Sequence, residues 1–199
     1  MRKAPRLTCD LLLHAYSIGF FPMADGGTGE IRWYSPEPRA IIPIETYRPW
    51  RSLRQAVRKN LFEVHIDADF EAVMWECAAP RRGAGDSWIS EEMIGAYTTL
   101  HRRGFAHSVE TYHQGRLVGG VYGVAIGGAF FGESMFYRLP DASKVATHAL
   151  LERLHQRGYV LLDTQFLNDH VARFGAIEIP RAEYLKRLGP AIAQPIRFR

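Results

Sequence analysis

The apolar positions change period several times along the chain, and each change marks an element. Leu11, Leu12 and Ala15 recur at helical spacing behind Thr8, a residue suited to capping a helix, and Gly19 ends the run. Phe20-Phe-Pro-Met and the following Ala24-Asp-Gly-Gly-Thr-Gly are rich in turn residues and predict a loop, whereas Ile31-Arg-Trp-Tyr and Ala40-Ile-Ile-Pro-Ile predict short strands. Between Trp50 and Lys59 the pattern predicts an amphipathic helix, with Leu53, Ala56 and Val57 on one side and Arg51, Arg54 and Arg58 on the other. Phe62-Glu-Val-His-Ile alternates as a half-buried strand. Asp69 is placed to cap a helix through Cys77, residues 79–87 read as a Pro/Gly/Arg loop, and Ser90-Glu-Glu opens a helix ending near Gly104.

The centre of the chain is rich in strand formers. Ala106-His-Ser-Val-Glu-Thr-Tyr, Leu117-Val-Gly-Gly-Val-Tyr-Gly-Val-Ala and Gly128-Ala-Phe-Phe-Gly-Glu-Ser-Met-Phe-Tyr predict three strands, the first two joined by a turn at Gln114-Gly115, in an antiparallel meander. A helix over about 143–156, a strand at Tyr159-Val-Leu-Leu-Asp, a helix near 168–173, a short strand at 176–179 and a helix after Pro180 follow. This order predicts an α+β fold with a mixed sheet and flanking helices. Residues 1–48 read as a small lobe or lid, and residues 49–199 as the main domain.

Composition narrows the class. The 199 residues are 47% hydrophobic and 23% charged, which excludes a disordered chain and suits one domain with a full core. No apolar run reaches the roughly 18 residues of a membrane span, and Met1-Arg-Lys-Ala-Pro-Arg lacks the apolar core of a secretory signal, so a cytoplasmic protein without membrane contact is expected. Cys9 and Cys77 have neither disulfide nor zinc spacing, and no metal is expected. The formal charge of +4 is unevenly spread: residues 1–60 hold ten Lys/Arg against five Asp/Glu. A regional basic surface of this kind attracts phosphates, although it also serves as a solvated face.

Candidate chemistry gathers late in the chain. Asp163 closes an apolar strand and Gln165 follows two positions on, so both project to one side if the strand continues. The alternative reading of Asp163 is a cap for the next helix. Glu133 sits within an apolar central strand, where a carboxylate needs a cation, a hydrogen-bond network or a ligand amine, and Arg138 is one available partner. The glycines from Gly119 to Gly128 permit close backbone approach to a ligand or a neighbouring strand, but form no phosphate-binding P-loop. His107, His113 and His170 define no triad, and the aromatic residues Trp33, Tyr34, Trp88, Tyr97 and Phe130 suit either base stacking or a core.

Several ordered stretches resemble the leucyl/phenylalanyl-tRNA–protein transferase family. They are Leu11-Leu-Leu-His-Ala-Tyr-Ser-Ile-Gly-Phe-Phe-Pro, Trp33-Tyr-Ser-Pro-Glu-Pro-Arg-Ala, Ser87-Trp-Ile, Ala106-His-Ser-Val-Glu, Leu117-Val-Gly-Gly-Val-Tyr-Gly-Val-Ala, Phe131-Gly-Glu-Ser-Met-Phe, Ala142-Ser-Lys and Leu162-Asp-Thr-Gln-Phe-Leu-Asn-Asp-His. The resemblance implies a GCN5-related N-acyltransferase-like fold that moves Leu or Phe, with Met as a further candidate, from aminoacyl-tRNA to the N-terminal Arg or Lys of proteins. Such transfer marks proteins for the N-degron pathway. It needs no cofactor, and a monomer is expected.

The resemblance places catalytic residues at Asp163, Gln165 and Glu133, with Asp163 as a candidate acceptor of the amine's proton. Trp88 and Tyr97 match aromatic positions around the terminal adenosine and aminoacyl group, with Tyr16, Met23 and Asn168 also assigned to substrate binding. Val121, Phe130 and Met135 match an apolar pocket for the Leu or Phe side chain, and Arg51, Arg54 and Arg58 suit a grip on the acceptor stem. The chain departs from the family pattern in a shorter amino-terminal lobe, in Met23 where Trp is common, and in Val121 and Leu150 where bulkier residues often stand. Two other functions compete: a tRNA-binding protein without catalysis, and an acyltransferase using CoA thioesters. The second lacks the RxxGxG-type pyrophosphate loop before the helix at Ser143.

Overall fold

A computed structural model describes residues 7–80 and 87–199. The amino-terminal stretch 1–6 and residues 81–86 of the expected Pro/Gly/Arg loop lie outside the described residues. The chain runs α1 (Cys9–Ser17), β1 (Phe21–Ala24), β2 (Ile31–Tyr34), β3 (Arg39–Ile42), α2 (Arg51–Arg58), β4 (Glu63–Ile66), α3 (Phe70–Ala78) and α4 (Glu91–Arg102). It continues through β5 (Ala106–His113), β6 (Arg116–Ile126), β7 (Ala129–Tyr137), α5 (Ala142–Arg157), β8 (Leu161–Gln165), α6 (Asp169–Ala172), β9 (Ile177–Ile179) and α7 (Arg181–Ile192).

Local chemistry sets the boundaries. Thr8, Asp69 and Ser90 each accept a backbone N–H in the first turn of α1, α3 and α4, the caps their positions predict. Gln114 and Gly115 both take positive φ, which matches the β5–β6 turn to the twist of its strands. Two expectations fail. Phe21–Ala24 is a strand and not a loop, because it pairs antiparallel with β2 and buries Phe21, and Pro22 is tolerated in a ribbon of only two strands. β4 is exposed along most of its length and not half-buried, because it is the sheet's edge strand and carries Glu63 and His65 outward.

Among the described residues the large sheet has seven strands in the order β4-β5-β6-β7-β8-β3-β9, and only β7 and β8 are parallel. The predicted meander is β5-β6-β7. Residues 39–42, which the sequence groups with a lobe ending at 48, form a strand between β8 and β9. No local pattern announces such an insertion, because its partners lie more than a hundred residues away. Alternate side chains of the central strands enter two cores. On one face Tyr122, Val124, Phe131 and Phe136 pack with α1, α3, α4 and α7; on the other Val121, Ala125, Phe130 and Leu162 pack with α2 and α5.

Candidate active site

Two interruptions of the sheet build the site. In β7 the pairing steps from Tyr122↔Ser134 to Gly123↔Gly132, leaving Glu133 as an extra residue without a partner on β6. In β8 it steps from Ala40↔Gln165 to Ile41↔Asp163, leaving Thr164 extra. Such bulges bend a strand and re-aim its side chains. The parallel β7–β8 ladder ends at Phe131↔Asp163, so Glu133 and Gln165 emerge just beyond it, Glu133 midway along β7 and Gln165 at the carboxyl end of β8. A β-carbon on Gly123 would fall inside van der Waals contact with the Phe131 carbonyl oxygen and the Phe130 ring, so glycine there is what permits the first bulge. The glycine-rich stretch thus serves strand packing at this point.

Asp163 is fully buried and its four acceptor positions are filled. Oδ1 accepts from Arg39 Nε at 2.9 Å and from the Gln165 backbone N–H at 2.9 Å; Oδ2 accepts from Arg39 Nη2 at 2.6 Å and from the Tyr184 hydroxyl at 2.7 Å. Arg39 is equally buried, lies over the rings of Phe21 and Tyr184, and donates a third bond to the Gly19 carbonyl at 3.0 Å. Burial beside the Asp163 charge holds the Tyr184 hydroxyl well above its ordinary pKa, so it remains a donor. The cap reading of Asp163 is therefore replaced: Asn168 caps α6, accepting from the N–H groups of His170 and Val171 at 3.0 Å each.

Glu133 meets a different environment. Gln165 adopts a left-handed backbone with φ of 59°, breaking the extended geometry that would place its side chain beside that of Asp163. Its Nε2 instead donates to Glu133 Oε1 at 3.1 Å. The Tyr97 hydroxyl approaches Oε2 at 3.5 Å and is itself hydrogen-bonded to the Tyr16 hydroxyl. Burial of the Glu133 carboxyl, with the Asp163 charge acting in the same direction, raises its pKa to about 8 against the opposing Tyr16 and Tyr97 hydrogen bonds and the Arg39 charge. Part of the residue still meets solvent. Arg138, the cation expected for it, pairs with Glu76 instead. Burial and the Glu133 charge in turn keep Tyr16 and Tyr97 protonated.

The expected site residues divide between the two faces of the sheet. Tyr16, Tyr97, Met23 and Trp88 belong to the core on the Glu133 side, where the Ala24 N–H bonds the Trp88 carbonyl at 3.0 Å. Val121, Phe130 and Met135 pack into the opposite core, and Phe130 lies against Tyr159 and Phe198. Arg51, Arg54 and Arg58 stand exposed on α2, without ion pairs among the described residues, while Leu53 anchors that helix in the second core. Arg39 and Tyr184 were not singled out by the sequence; the available signal was a charged residue heading the apolar strand Arg39-Ala-Ile-Ile.

Among the described residues, one cluster outside this site has metal-ligating side chains. Asp67, His101 and His107 bring one possible ligand atom each within 4.8 Å. They are already engaged: Asp67 accepts from Arg199 Nε at 2.6 Å, the His107 nitrogens face Asp67 and the Gly104 carbonyl, and His101 Nδ1 faces the Ala106 carbonyl. Among the described residues no helix is long and apolar enough to cross a membrane.

Comparison with known proteins supplies the family. Residues 41–189 match the leucyl/phenylalanyl-tRNA protein transferase family, and residues 6–37 match the N-terminal domain of the same transferases. The leucyl/phenylalanyl-tRNA–protein transferase of Rubrobacter xylanophilus is 53% identical over 188 residues, covering 94% of this chain and 96% of its own. That of Gloeobacter violaceus is 50% identical over 193 residues, covering 97% and 98%. The structure of L-PGS from Bacillus licheniformis aligns with 82% of this chain and 54% of its own at a TM-score of 0.43 and 14% identity, a likeness too slight to bear on function. With near-complete coverage at half identity and both family segments in order, the chain belongs to the leucyl/phenylalanyl-tRNA–protein transferase family and is an aminoacyltransferase.

Proposed function

We propose that the enzyme transfers a leucyl or phenylalanyl group from tRNA to the N-terminal Arg or Lys of a protein, with Glu133 carrying the proton. The observation that carries this assignment is the Glu133–Gln165 contact at 3.1 Å, just past the end of the parallel ladder. We place the aminoacyl ester in that opening, which corresponds to the GCN5-related N-acyltransferase-like arrangement, and divide the chain near residue 38 into a small lobe and a catalytic domain. The acceptor amine attacks the ester carbonyl, a C–N bond forms, the C–O bond to ribose breaks, and its electron pair leaves with the ribose oxygen. Glu133 takes the proton from the amine and passes it to that oxygen. A carboxyl with a pKa of about 8 suits both directions near neutrality. Asp163 is a positioning residue, since its acceptor sites are occupied. The substrate is already activated, so most of the acceleration comes from alignment. The need for charged tRNA makes the cytoplasm the working compartment, and the enzyme acts as a monomer.

The test is transfer of labelled Leu and Phe from charged tRNA to a peptide beginning with Arg. The enzyme transfers both, and Glu133→Gln lowers kcat by about 10²–10⁴. Below about pH 8 the wild-type kcat/KM rises with two ionisations, the amine and Glu133, and the variant keeps only that of the amine. A variant with unaltered kcat assigns the proton elsewhere.

A further inference from the structure

The carboxyl end of β7, the start of α5 and the α6 segment that follows β8 border a cavity of about 500 Å³, lined by Tyr137, Asp141, Ser143, Lys144, Asp169 and Arg173 among others. Ligands of open sheets with parallel strands gather at such carboxyl ends. α5 begins here without a side-chain cap, because Asp141 at its N-cap turns into the left-handed region at φ 69° and its carboxylate pairs with Lys144 Nζ at 2.6 Å. The Ala142 N–H bonds the Leu139 carbonyl and the Val145 N–H bonds the Asp141 carbonyl, which leaves the N–H groups of Ser143 and Lys144 without an acceptor among the described residues. Ser143 is only 4% exposed, lines the cavity, and its hydroxyl has no hydrogen-bond partner among the described residues. Two adjacent N–H donors, a buried hydroxyl and the positive end of a 16-residue helix form a site for one phosphate oxygen group. Arg173 extends it with a cation that has no ion pair among the described residues.

The lining does not suit free anions in general. Lys144 and Arg173 are balanced by Asp141 and Asp169, so net attraction is weak and a ligand must also bring hydrogen-bond donors or a ring. A nucleotide brings both: its ribose hydroxyl or base amine faces the Asp169 carboxylate, and its base lies on Tyr137, which is 67% exposed. Tyr137 is four residues beyond Glu133 on β7, about 13 Å along an extended strand, and shares the α5 face with Met135. The nucleotide preceding the one that carries the ester would therefore reach it by passing beyond the end of the β7–β8 ladder. We propose that this cavity binds the penultimate nucleotide of the tRNA acceptor strand, with its phosphate on the Ser143 and Lys144 N–H groups, the Ser143 hydroxyl and Arg173, and its base on Tyr137. The proposal rests on aminoacyl-tRNA being the substrate.

The probe is the triribonucleotide CCA, titrated calorimetrically into the full chain beside two altered forms. One has a neutral methylphosphonate between the first two nucleotides, in place of the penultimate nucleotide's own phosphate, and the other lacks the penultimate base. Ser143→Ala and Arg173→Ala each weaken natural CCA about fivefold or more and leave the methylphosphonate form unchanged; Tyr137→Ala weakens natural CCA to a similar degree and leaves the abasic form unchanged. Equal losses on natural and altered RNA, no loss, no binding by the wild type, or displacement of CCA by millimolar inorganic phosphate alone would overturn the subsite. Transfer is assayed separately. Coupling without transfer keeps the subsite and rejects the proposed reaction, whereas transfer without coupling rejects only the subsite.

Discussion

A carboxylate and a guanidinium that are both wholly buried define the energetics of the site at the scale of single residues. Arg39 and Asp163 attract each other strongly because little water screens them, yet each has given up its hydration to be there. Their value to the fold is therefore asymmetric. Replacing one partner strands the other, so Asp163→Leu or Arg39→Met alone lowers unfolding stability by about 3–5 kcal/mol, as read by urea denaturation. The pair Arg39→Met with Asp163→Leu recovers most of that loss, while transfer activity stays low because Gln165 no longer has the Oδ1 acceptor for its backbone N–H. Recovery of activity with stability would make the ion pair purely structural. The sequence made Asp163, Gln165 and Glu133 visible as polar groups in apolar runs. It did not reveal which carboxyl was free to act, because that depends on Arg39 and Tyr184, which approach Asp163 from 124 and 21 positions away.

Elements explain the placement of Glu133. Period-two alternation along β7 assigns each side chain to a face, and the strand's existence was readable from that pattern together with the helices and their caps. The single extra residue at 133 was not readable, since a bulge is specified by what the neighbouring strand leaves room for. Gly123 leaves that room. Gly123→Ala removes it, and relief by straightening β7 moves Glu133 off the Tyr16–Tyr97 face. The expected result is a loss of about 1–3 kcal/mol of stability together with transfer activity reduced well beyond the unfolded fraction, measured by thermal melting and by kcat at a temperature where the variant is folded. The apolar residues Val121, Phe130 and Met135 show the same limit: the resemblance assigned them to an apolar pocket, but the face each enters follows from register across β6 and β7.

For the whole molecule, the proposed grip of the exposed α2 arginines on the acceptor stem can be tested as the docking of a polyanion. Arg51, Arg54 and Arg58 hold no structural ion pair among the described residues, so changing all three to Ala leaves stability within about 0.5 kcal/mol. The triple variant raises KM for charged tRNA. It also flattens the dependence of log affinity on log salt by about 0.7–0.9 for each phosphate that an arginine no longer neutralises, measured between about 50 and about 200 mM salt. An unchanged slope assigns the stem to another surface. The insertion of β3 between β8 and β9 has a consequence in time as well as in space. A chain emerging from the ribosome exposes β3 early and must carry it unpaired until β8 arrives, 124 positions later at the Arg39–Asp163 contact. The proposed site is thus assembled among the last long-range contacts of synthesis, and on that reading unfinished chains expose the α2 arginines before Asp163 and Gln165 are in place.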